Sequence, residues 1–180
     1  MAITKIQSES LNLSDNYDFT GTVTGAGGIT EVDQWRMTSN LTLPSSTSLI
    51  TSNLERVSTD GFGKIGTGMS ESSGVFTFPS TGIYHISFNG YINSGSSPWI
   101  GLFIMTTTNN SSYNFASEVY SGINTAGVHT SMTTNFIFDV TDTSTHKVGF
   151  YTARSSGTIV LAGDNQSNKT YFTFIRLGDT

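Results

Sequence analysis

"GVFTFPSTGIYHISFNG", residues 74–90, decides how this chain folds. Val75 to Phe78 reads as a short strand, and Pro79 ends it, because proline has no N–H to donate to a ladder. Gly82 supplies a turn. Tyr84, Ile86 and Phe88 then alternate with His85, Ser87 and Asn89, the two-residue period of a strand with one face in a core. A strand, a proline, a glycine and a second strand within seventeen residues leave no room for a helix.

The same period extends in both directions. Upstream, Trp35, Met37, Leu41 and Leu43 alternate with Arg36, Thr38, Asn40 and Thr42, which predicts one half-buried strand. "ERVSTDGFGKIGTGM" (55–69) contains Asp60-Gly61, a hairpin-type turn dipeptide, followed by Phe62, Ile65 and Met69 on a glycine-broken strand. Downstream, "WIGLFIMTTT" (99–108) is apolar at consecutive positions and should be buried on both faces. Tyr113 to Tyr120 is an aromatic-rich strand, and Val128, Met132, Phe136, Phe138 and Val140 alternate with His129, Ser131, Thr133, Asn135 and Asp139. Val148 and Phe150 mark another strand, and Tyr171 to Leu177 closes the chain. Short strands separated by turn signals predict an all-β, antiparallel two-sheet sandwich.

Composition agrees. Only 12% of the 180 residues are charged, about half the usual share, and serine with threonine fills about 30%. Hydroxyls on a pleated surface suit strands, where lysine and glutamate do not. The net charge is −5, with no basic run, which argues against nucleic acid as a partner. Without cysteine there is neither a disulfide framework nor a thiolate metal site. "MAITKIQSES" lacks the apolar core of a signal peptide, and no 18-residue apolar run occurs. The expectation is a protein made in a cytoplasm, without membrane insertion, that reaches the outside by lysis or within a particle.

Residues 1–31 read differently from residues 32–180. "LNLSDNYDFTGTVTGAGG" (11–28) carries Leu11, Leu13, Tyr17 and Phe19 ahead of the Gly25–Gly28 run. Such a segment is too short for a core of its own. It is either a disordered terminus or an extended arm, with glycines as hinge, that packs on copies of itself or on a partner.

The chemistry-bearing residues are scattered. Asp139 and Asp142 lie close together in "DVTDTST" (139–145), where a turn-stabilising role outweighs a ligand pair. His85, His129 and His146 fall on separate predicted strands, with none of the spacing of a metal or triad motif. "GFGKIGTG" lacks the helix and the placed lysine of a phosphate loop. No enzyme and no cofactor is expected. Trp99 after "NSGSSP" and Tyr113 after "TTNNSS" are rings of the kind sugar-binding surfaces present, although an aromatic at a strand start more often serves a core or an interface.

The order "GVFTFPSTGIYHISF" resembles the signature of the complement component 1q globular head, a branch of the jelly-roll superfamily shared with tumour necrosis factor. The closing "TYFTFIRLG" is similar to the superfamily's last strand, and the likeness covers residues 32–180. It implies a jelly-roll knob, residues 32–180, on an N-terminal arm, residues 1–31. The proline–glycine break would carry the chain from the outer sheet to the inner one. It implies a homotrimer, with inner-sheet residues that point away from the core meeting at a threefold axis: His85, Ser87, Asn89, Tyr91, His129, Tyr171, Ile175 and Leu177. The calcium sites of some relatives have no matching carboxylates here. The whole chain, including "SLNLSDNYDFTGTVTGAGG" and "ERVSTDGFGKIGTGMSESSGVFTFP", resembles virion proteins of tailed phages of aquatic bacteria. That implies a non-enzymatic capsid decoration, head fibre or tail-fibre tip. Its arm would join another virion protein through Leu11, Leu13, Tyr17 and Phe19, and host-surface glycans are a further implied partner. A free carbohydrate-binding lectin of the same fold is the alternative.

Overall fold

A computed structural model describes residues 28–180. The anchor candidates Leu11, Leu13, Tyr17 and Phe19, and the hinge glycines before Gly28, lie outside the described residues. Thirteen strands and no helix occur among the residues described: β1 Val32–Met37, β2 Leu41–Thr42, β3 Ser48–Leu49, β4 Leu54–Arg56, β5 Ser70–Ser72, β6 Val75–Thr77, β7 Gly82–Ser94, β8 Ser97–Thr107, β9 Asn114–Ile123, β10 Thr130–Val140, β11 Lys147–Arg154, β12 Val160–Leu161 and β13 Tyr171–Gly178. All pairings are antiparallel.

The strands form two sheets, one of seven strands and one of six. In the seven-stranded sheet the long β7 is central. β10 lies along one edge, and β13 and then β12 share the other. β13 is flanked in turn by β1, and β1 by β4. The six-stranded sheet runs β5-β6-β11-β8-β9, with β3 also pairing β11.

The break at Pro79 is the crossing between them. β6 belongs to the six-stranded sheet and β7 to the seven-stranded one. Gly82 has φ +142°, and a Cβ there would press into the Arg176 guanidinium and lie 2.6 Å from the Gly178 carbonyl oxygen. Only glycine fits. Two residues on, the buried Tyr84 donates its hydroxyl to the Ser80 carbonyl at 3.1 Å, which ties the strand to the turn before it.

The core lies between the sheets and is largely aromatic. Phe76 and Phe150 from one sheet meet Phe88, Phe172 and Phe174 from the other, with Phe150 stacked on Phe172 at 4.1 Å. Tyr84, Ile86 and Phe88 all point into this layer, as their period predicts. Each such ring contributes about 1.5–3 kcal/mol by leaving water. β8 is buried on both faces: Ile100, Leu102 and Ile104 join the main core, whereas Phe103 and Met105 form a smaller cluster with Ala153 on the far side.

Three readings of the sequence are corrected. Residues 35–43 are not one strand, because β1 ends at Met37 and β2 pairs elsewhere, with β12. Arg36, read as a solvent-facing partner of Trp35, is only 1% exposed. It points away from the core, but loops from Ser58–Thr59 and Asn165 fold over it, and Glu55 pairs with it at 2.7 Å. Residues 62–69 form a loop in place of a strand, with one bridge, Val32 to Ile65, and the Thr67, Gly68 and Met69 N–H groups bonded to the Glu31 and Asp33 carboxylates. Asp60-Gly61 does turn, with Phe62 N–H donating to the Thr59 carbonyl, but no hairpin follows.

Candidate functional site

The outward face of the seven-stranded sheet gathers most of the residues singled out for an interface. Register lays them out in rows. Val32, Ile175, His85 and Ile137 lie side by side on β1, β13, β7 and β10. The next row is Gln34, Thr173, Ser87 and Asn135, and the third is Arg36, Tyr171, Asn89 and Thr133. Tyr91 opposite Ser131 begins a fourth. Alternation explains the sorting, since Phe172, Phe174, Ile86 and Phe88 occupy the inward positions between these residues.

The rows differ in chemistry. The first is apolar around one imidazole, and Ile137 is 52% exposed. The middle rows are uncharged except for the covered Arg36, and they are internally bonded. Gln34 Nε2 donates to Thr173 Oγ1 at 2.9 Å, Asn89 Nδ2 to Ser87 Oγ at 2.7 Å, and Thr133 Oγ1 to Asn89 Oδ1 at 2.9 Å. At the far end a shallow depression of about 490 Å³ opens among Asn89, Tyr91, Thr133, Lys169 and Tyr171. His129 stacks on Tyr91 with ring centroids 5.4 Å apart. Leu177 sits at the register shift where β13 leaves β7, and its side chain is exposed.

The histidines do not converge. His85 pairs with Ile137, eight residues along from His129, which places the two roughly 26 Å apart along the strand. Only His85 lies within a strand. His129 precedes β10, and His146 sits in the turn before β11, buried and stacked on Phe138 at 5.5 Å. Asp142 caps that turn by accepting from Ser144 N–H and Oγ–H, which holds its carboxyl below the usual range. Among the described residues no three His, Asp or Glu side chains gather closely enough to hold a metal.

Tyr113 takes the core role that an aromatic at a strand start more often serves: it packs against the Phe103 cluster and Tyr151, and burial pushes its hydroxyl upward. Ile137 was not singled out, because its neighbours in "NFIFDV" carry the obvious alternation and its own partners come from β7 and β13. Phe115, Glu118 and Tyr120 are equally silent in the sequence. The bulges that turn them outward leave no local signal in the sequence.

Two antiparallel sheets in this order, with the closing strand between the first and the central strand, define a jelly-roll sandwich of the tumour necrosis factor kind. Among solved structures the chain is similar to murine APRIL at pH 5.0, with a TM-score of 0.59 and 12% identity over 82% of this chain and 98% of that one. It is also similar to Eiger TNF from S. frugiperda, with a TM-score of 0.64 and 10% identity over 83% and 93% of the two chains. At such identity the likeness is one of fold. No family model matches the sequence, and no curated protein matches it.

Proposed function

We propose that the chain is a non-enzymatic, homotrimeric knob of a tailed-phage particle. It is carried as capsid decoration, head fibre or tail-fibre tip, attached to another virion protein through residues 1–31, and it contributes to adhesion at the host surface. The observation that carries the self-association is the outward face of β13, β7 and β10. It is wide and nearly uncharged, and its first row sets the apolar Ile175 and Ile137 on either side of His85. Depletion of charge at the centre of a patch is what distinguishes interface cores, since no ion has to be stripped of water there. Asp139, at the end of β10, supplies a charged rim. The threefold stoichiometry and the particle context rest on the sequence resemblance.

Light scattering on the full chain, together with mass spectrometry of purified particles, tests this reading. A trimer found in particles at stoichiometric abundance is expected. A monomeric mass at micromolar concentration would remove the knob, and absence from particles would favour the free carbohydrate-binding reading, to which the exposed rings of Trp99 and Tyr120 lend support.

A further inference from the structure

The six-stranded sheet has an outward face of its own, and two bulges in the β8–β9 pair shape it. Ser97 pairs with Ile123 and Ile100 with Ser121, so β8 holds one residue more than β9 in that interval. Pro98 and Trp99 are both left exposed there. In the second bulge the extra residue is on β9: Ile104 faces Ser117 and Met105 faces Phe115, with Ala116 between. Bulges at sheet edges re-aim side chains and recur beside binding sites.

Here they line up four rings. Trp99, Tyr120, Phe103 and Phe115 follow one another with centroids 5.9, 5.5 and 5.2 Å apart. Tyr120 is 55% exposed, Phe115 50% and Trp99 39%. Phe103, itself buried, lies over Gly101, where any side chain would collide with its ring, and the rings of the row meet edge to face. Three exposed rings around the buried Phe103 on an edge pair call for an occupant.

The polar groups around it say which. Glu118 is the one charged residue of β8 and β9, and its Oε2 accepts the Tyr120 hydroxyl at 2.7 Å. At Pro98, the residue before Trp99, a depression of about 240 Å³ is lined by Ser96, Ser97, Ile123, Asn124 and Ser156, with the Ser97 hydroxyl bonded to the Trp99 carbonyl. Ring faces take up the C–H face of a pyranose, while hydroxyls, an amide and a fixed carboxylate acceptor match its hydroxyls. Neither strand carries a cation to attract a phosphate or an acidic sugar.

We propose that Trp99, Tyr120 and Phe115, supported from beneath by Phe103, with Glu118 and the hydroxyl-lined depression, form a binding site for a neutral oligosaccharide. The proposal rests on the adhesive part of the function proposed above and needs neither the trimer nor the particle.

Affinity electrophoresis of the full chain tests it, in gels containing laminarin, mannan or dextran as neutral polymers and alginate or polygalacturonate as acidic ones. At least one neutral polymer should retard the protein, and W99Q and Y120S should each weaken that retardation tenfold or more. E118Q should weaken it less. Unchanged melting temperatures would show that the variants fold. If W99Q and Y120S do not fold, a change in the tryptophan fluorescence of the wild-type chain on adding the retarding polymer, where Trp99 is the exposed one of the two tryptophans, replaces them as the test. No retardation by any neutral polymer, retardation by acidic polymers alone, or retention unchanged in W99Q and Y120S would each overturn the site. A fall in the light-scattering mass of W99Q or Y120S would do the same, by making this face a contact between copies.

Discussion

Arg56 holds the Asp33 carboxylate at the edge of the sandwich, with Nε 2.9 Å from Oδ1, although the Asp33 side chain is only 2% exposed. Trp35 Nε1–H and Met69 N–H donate to the same carboxylate, at 2.9 and 2.8 Å. The Arg56 guanidinium also lies over the Trp35 ring. A buried charge so completely partnered becomes costly when one partner goes. R56M should lose about 2–4 kcal/mol in urea denaturation, somewhat less than a fully buried pair because Arg56 is partly solvated. The double variant D33N/R56M should lose less than the sum of the single losses. Additive losses would show that the pair is not coupled.

Gly82 offers a sharper test of the crossing between sheets. Alanine there must adopt a left-handed φ and push against Arg176 and the Gly178 carbonyl. G82A should cost about 1–3 kcal/mol, whereas alanine at Gly61, whose Cβ would meet nothing within 4 Å, should cost only the backbone strain. Equal losses at the two positions would remove the argument from crowding.

Acid should act through Asp164. Its carboxylate accepts from Gln166 N–H and Ser167 N–H and pairs with Lys169, which brings its pKa down to about 2. A folded pKa below the unfolded one means that this stabilisation is complete above about pH 4. It fades as the pH falls through 2. The melting-temperature gap between wild type and D164N should therefore be widest at neutral pH and close near pH 2. A gap independent of pH would show that the carboxylate's charge is not involved.

Ile137 and Ile175 flank His85 on the outward face. If that face joins copies of the chain, I137N and I175N should lower the mass measured by light scattering while leaving the sandwich folded. T47N, at an exposed loop position, should change nothing. Wild-type mass in both isoleucine variants would exclude the face.

How much of this could be read from the sequence depended on where each signal comes from. Tyr84, Ile86 and Phe88 were legible because a single buried face imposes its own period, and β8 because consecutive apolar residues require two covered faces. Arg36 was not, since its cover comes from loops about twenty and one hundred and thirty residues away in the chain. Two-residue strands such as β2 and β12 carry no period at all. The outward positions of β7 and β13 could be assigned from alternation, yet the row that joins them to Ile137 exists only through register. The aromatic row on β8 and β9 depends on bulges, which shift parity without a residue to mark them.

β13 follows every other strand in the chain yet lies between β1 and β7. During synthesis β1 must therefore wait for a partner made some 140 residues later, and β7 presents an open edge until then. Assembly of this sheet is a closing step that waits for residues 171–178, not a gradual growth from β1 onward. Loss of residues 171–178 would take out the middle of the sheet, with Phe172 and Phe174, and expose two strand edges at once. A chain that lacks these residues should aggregate or be degraded, because both open edges and the uncovered core would be presented together.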